Sequence, residues 1–115
     1  TLARAYELLS FGLERPPSDT PANWSVKVNS LIDASRLFGQ FGMEELRLWS
    51  AFHTASLTLH ELGDLNLSLG LARELAADPG IGRHPLVALA ARQLEVEVLA
   101  GLAAAGAAGA VASVC

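Results

Sequence analysis

The residues able to do chemistry are few and mostly isolated. His53 and His60 stand seven apart in a segment with helical spacing, two turns and roughly 10 Å along the axis at ~1.5 Å rise per residue. That separation is too great for one metal ion, so packed imidazoles are expected, and no metal or cofactor is implied. An ion pair between His60 and Asp64, four residues on, is open. Glu44 and Glu45 would complement the free amides of a helix start. Glu95 and Glu97, two apart, would point to different sides of a helix and could not serve one substrate atom as acid and base. Ser10, Ser25, Ser30, Ser50 and Ser56 have no neighbouring His and acid, and the nucleophile-elbow, phosphate-loop and dinucleotide glycine patterns are missing. The sequence therefore reads as no enzyme.

Any binding role must come from surfaces, and the elements that build them are helical. Leucine occurs 21 times and alanine 20 times against nine Val plus Ile, a choice that favours helices over strands. With 115 residues, 51% of them hydrophobic and 17% charged, the chain is the size of one domain and apolar enough to fold. A formal charge of -4 offers no positive field for a phosphate backbone, which argues against nucleic-acid contact. The lone Cys115 cannot close an internal disulfide, in keeping with a reducing cytoplasm. The chain opens on Thr1, so a piece of a longer protein is expected.

Periodicity divides residues 1–100 into five helices. The first places Leu2, Ala5, Tyr6, Leu9 and Leu13 on one side and stops at Arg15-Pro16-Pro17. From about Ala22 a second follows, with Trp24, Val28, Leu31, Ile32, Ser35 and Phe38 inward and Lys27, Asp33 and Arg36 outside that stripe. It ends at Gly39 and Gly42. The third, Met43 to Leu62, has two apolar stripes, one through Leu48, Phe52, Ala55, Leu59 and Leu62, the other through Leu46, Trp49, His53 and Leu57. Gly63-Asp64 is a tight turn whose Asp caps the fourth helix, Leu65 to about Ala77, and Asp78-Pro79-Gly80 closes that helix. His84-Pro85 reads as a cap and first turn for the fifth, buried along Leu86, Leu89, Ala90, Leu94 and Val98. Residues 101–115 form an Ala/Gly tail or short sixth helix with an interruption expected near Gly106 or Gly109. The uncharged run from Val98 to Cys115 is long enough for a span, but Ala and Gly supply little drive for insertion, so membrane association is not expected. Gly101-x-x-x-Ala105 and Gly106-x-x-x-Ala110 would allow close helix packing, including across a homodimer.

Short helices joined in turn by tight and longer connections suggest stacked antiparallel hairpins, whether a regular array or an irregular bundle. The third and fourth helices resemble one tetratricopeptide repeat. Phe52 falls at the opening aromatic position, Ala55 and Ser56 at the next pair and Leu59 at the following large one. Gly63-Asp64 is the turn, Ser68 the small residue, and Ala72 and Leu75 lie beyond. Ala72 is small where that family carries an aromatic, Pro79 comes one residue early, and the likeness covers about a third of the chain.

The resemblance implies a protein- or peptide-binding module, as in bacterial transcription regulators and scaffolds. The single lysine, Lys27, suits a GC-rich bacterial source. It also implies a concave face lined by the first helix of each hairpin, with Arg47, His53 and His60 as candidate contacts and Trp49 as a candidate aromatic anchor. Arg36 and Arg47 read more simply as ordinary surface charges. Two alternatives stand beside this reading: a ligand-sensing bundle with a pocket between the second, third and fifth helices lined by Trp24, Trp49 and His53, and a homodimerisation domain.

Overall fold

The computed structural model describes residues 1–114 in backbone and residues 1–106 in side-chain environment. It is all-α: α1 (Leu2–Leu13), α2 (Pro21–Gln40), α3 (Glu44–His60), α4 (Leu65–Ala76), a 3-10 turn (Ile81–Arg83) and α5 (Pro85–Val114), with no strand among the described residues. Thr1, Thr20 and Asp64 cap their helices, accepting bonds from the amides of Arg4, Asn23 and Leu67 at 3.2, 3.2 and 3.1 Å. Gly42 and Gly63, at φ 70° and 66°, take the left-handed conformation that lets α2 and α3 end in short turns.

Pairs of contacts set the directions of the helices. Ser30 Oγ donates to the Leu8 carbonyl and Lys27 Nζ to the Phe11 carbonyl, so α1 and α2 run antiparallel. Ser35 Oγ donates to the Arg47 carbonyl across α2 and α3. Ser68 Oγ donates to the Ala55 carbonyl, while Leu48 packs on Leu75, which makes α3 and α4 antiparallel. Arg73 meets Glu95 and Leu65 meets Gly101, which does the same for α4 and α5. Hence α5 runs parallel to α3, on which it also packs through Leu48, Val87 and Ala91. The hairpins form a slab of 57 × 36 × 17 Å, one or two helices deep.

Three apolar clusters hold the seams. Ala5, Ala34 and Phe38 join α1 to α2; Leu48, Leu75, Val87 and Ala91 join α3, α4 and α5; Ala55, Ala72 and Leu94 continue that seam. Small residues permit close approach: a Cβ at Gly12 would stand 2.6 Å from Leu31 Cδ2 and 3.2 Å from the Lys27 carbonyl. α3 also buries a column of hydroxyls. Ser50, Thr54 and Thr58 each donate to the carbonyl four residues earlier, so the column is polar but self-satisfied.

Several expected faces differ. Tyr6 and Leu13 of α1 are about half exposed, because α1 packs chiefly on α2 and buries only the narrow strip around Ala5 and Gly12. Lys27, expected outside the stripe, is 4% exposed. Its ammonium lies 2.8 Å from the Phe11 carbonyl and 3.5 Å from the Phe11 ring centroid, adding a charged donor to a helix-end carbonyl that also accepts the Glu14 amide. On α5 the buried residues are Val87, Ala91, Leu94 and Val98, whereas Leu86 and Leu89 face outward, since the smaller side chains allow the closer approach to α3 and α4. Nor does the helix break at Gly106 or Gly109: α5 runs to Val114. Cys115, and the packing expected at Gly106-x-x-x-Ala110, lie outside the described residues. No described helix is long and apolar enough to cross a membrane.

Candidate functional site

α2 and α4 stand on either side of α3, and the gap between them is an open groove of about 560 Å3. Its floor is the α3 face carrying Arg47, Ala51 and Thr54. Ile32, Ser35 and Arg36 form the α2 wall, Leu71, Glu74 and Leu75 the α4 wall, and Ala77, Asp78 and Pro79 close one end. Ile32 was expected inside; it is instead 47% exposed at the lip, because α3 packs against the neighbouring face of α2 and leaves this one uncovered.

Arg47 is the fixed point of the groove. Its Nη1 and Nη2 donate to Asp78 Oδ2 and Oδ1 at 2.8 and 3.0 Å, a two-pronged pair reaching from α3 to the end of α4. Gly39 leaves room for the stem, since a Cβ there would come to 3.0 Å from Arg47 Cδ. The bonds to Arg47 hold the Asp78 carboxyl below its ordinary range, and Asp78 in turn raises the guanidinium. Asp78 Oδ1 also accepts the Gly80 amide at 2.9 Å, which shapes the turn that α4 ends in. Arg36, at the lip, bonds Asp33 at 3.3 Å on an exposed surface.

Beyond the turn, the next loop is fastened to the start of α3. Glu44 accepts bonds from Arg83 Nε and Nη2 at 3.0 and 2.6 Å, and its Oε1 lies 2.9 Å from His84 Nε2. The Arg83 bonds, and after them the His84 contact, hold the Glu44 carboxyl at about 2. The Glu44 carboxylate also occupies the space a Cβ at Gly80 would need. Glu44 therefore does more than complement a helix start, and the His84 ring turns to it while the His84 carbonyl accepts the Ala88 amide.

The four candidate contact residues do not converge. Only Arg47 lines the groove, and its guanidinium is committed to Asp78. Trp49 and His53 belong to an aromatic cluster with Phe52: Trp49 and Phe52 are edge-to-face at 5.7 Å, Phe52 and His53 at 5.4 Å, and Trp49 and His53 are tilted at 6.2 Å. Burial there pushes the His53 imidazole below its ordinary 6.5. His60 lies on the surface 3.2 Å from Glu97 of α5, and not against Asp64, whose carboxylate caps α4.

The residues named for a pocket between the second, third and fifth helices stand apart from the groove, since α5 packs on α3 and α4 while α2 packs on α1 and α3. Trp24 is buried, and Trp24, Trp49 and His53 line neither the groove nor a second open concavity of about 570 Å3 between α1 and α2. The groove-forming residues missed at the sequence level are Asp78 and Glu74; Asp78 meets Arg47 across 31 residues of chain, a separation no local pattern reports.

Comparison with protein-family models, with characterised proteins and with solved structures gives no match.

Proposed function

We propose that the chain is a tetratricopeptide-like helical-hairpin module that binds a peptide segment of another protein in the groove between α2 and α4, as part of a bacterial cytoplasmic regulatory or scaffolding protein and without enzymatic activity. The observation that carries the reading is the openness of the groove between walls supplied by three helices, which suits a chain segment better than a small molecule enclosed on all sides. Its apolar floor and walls, Ala51, Leu71, Leu75 and Ile32, accept one or two apolar side chains. The rim carries both signs, Arg36 and Glu74, so a bound peptide needs no strong net charge. The Arg47–Asp78 pair holds the closed end in a fixed shape, which lowers the ordering cost of binding.

Selection of peptides against the folded chain, followed by amide chemical-shift mapping, tests this. Bound peptides should move the signals of Ala51, Leu71 and Leu75, and Ile32→Glu at the exposed lip should weaken them by about tenfold or more while leaving helicity intact. Shifts confined to another face, or selected peptides indifferent to Ile32→Glu, would refute the reading.

A further inference from the structure

α5 has two apolar faces, and only one is packed among the described residues. Val87, Ala91, Leu94 and Val98 pack inward on α3 and α4. With about 100° between successive residues, Leu86, Leu89, Gln93, Val96, Ala100 and Ala103 fall on the opposite side. All six are exposed, Leu86, Leu89 and Val96 at 72%, 53% and 66%. Among the described residues no other element covers that side. Here that face is greasy.

The order of these residues says what covers them. Their spacing alternates three and four, the a and d positions of two and a half heptads. Arg92 directly precedes the a position at Gln93, and Glu97 directly follows the d position at Val96, so the two lie on opposite flanks of the stripe. In a parallel helix pair a residue on the first flank meets the residue five further along on the second flank of its neighbour. That rule brings Arg92 of one copy to Glu97 of another, and by two-fold symmetry it does so twice. An antiparallel pair would set Arg92 near Arg92 and Glu97 near Glu97. Arg92 makes no salt bridge among the described residues, and Glu97 makes only its exposed contact with His60.

We propose that the chain pairs with a second copy of itself along the outer face of α5, the two helices parallel and in register, with Leu86, Leu89 and Val96 in the seam and Arg92 and Glu97 bridging it. Gln93, an amide at a seam position, fixes the register by bonding its own counterpart. The two bodies lie on opposite sides of the seam, and none of the seam residues lines the groove between α2 and α4, which stays open in both copies. The stripe is about 26 Å long at ~1.5 Å per residue, short for a permanent dimer, so the affinity is of micromolar order.

Sedimentation equilibrium of the full chain from about 1 to 200 µM tests the proposal. It should show monomer and dimer. Val96→Glu, at an exposed position, should abolish the dimer while circular dichroism stays unchanged. Arg92→Glu and Glu97→Arg should each weaken pairing by about tenfold, and the two together should restore it. In a Cys115→Ser background, Ala100→Cys should oxidise to a covalent dimer, because in-register parallel helices bring that position to itself, whereas an antiparallel pair centred on the same stripe sets it opposite Leu89. A monomer throughout the range, a dimer indifferent to Val96→Glu, charge reversals that add instead of cancelling, or an Ala100→Cys chain that fails to cross-link would each overturn it.

Discussion

Glu44 receives Arg83 and His84 at once, and its carboxyl sits at about 2 against an ordinary 4.5. A carboxyl depressed by folding contributes stability that is complete above its unfolded value and drains away as pH falls through the folded one. The melting temperature of the native chain should thus exceed that of Glu44→Gln above about pH 5 and converge on it toward about pH 2. A gap independent of pH would show that the carboxylate charge is not what fastens the loop. Arg47 makes the complementary case within the groove. Replacing it by Met removes both bonds to a partly exposed Asp78 and should cost about 1 kcal/mol in urea unfolding, with the Asp78 carboxyl returning toward its ordinary range. An unchanged Asp78 titration would place the cause of its depression elsewhere.

Helix ends were readable from short local patterns because capping chemistry is local: Gly63-Asp64 and Asp78-Pro79-Gly80 fall where helices begin or stop, whereas α2 starts at Pro21, capped by Thr20, one residue before the expected Ala22. Of the two α3 stripes, the one through Leu48 and Ala55 does face the seam with α4, while the buried hydroxyls of Ser50, Thr54 and Thr58 lie on neither. Leu59 flanks the cluster of Ala55, Ala72 and Leu94. Leu59→Asp should therefore leave a charge without a partner in that seam and cost about 3 kcal/mol or more; a folded variant with unchanged melting would contradict the assignment of faces. The facing of α5 was not readable. Both Leu86-Leu89 and Val87-Ala91 are apolar, and periodicity cannot say which stripe turns inward when the larger residues are the ones left outside. Contacts that close the groove and the loop, Arg47 to Asp78 and Glu44 to Arg83, span 31 and 39 residues and depend on the stacking of whole helices.

The slab is only 17 Å thick, so its stability is distributed along its length, each helix holding the next. α3 is the exception, touching α2, α4 and α5. α1 is the opposite extreme, held chiefly by α2 through one apolar cluster, the Ser30 hydroxyl and the Lys27 ammonium. Local opening follows such differences in attachment. Native-state hydrogen exchange should find the amides of α1 released at lower free energy than those of α3, with Lys27→Met lowering the α1 value further; uniform protection across both would show a single cooperative unit. A molecule built this way loosens from its least-attached helix inward, like a zip, and whatever restrains α1 in the cell tunes how much of the zip stays closed.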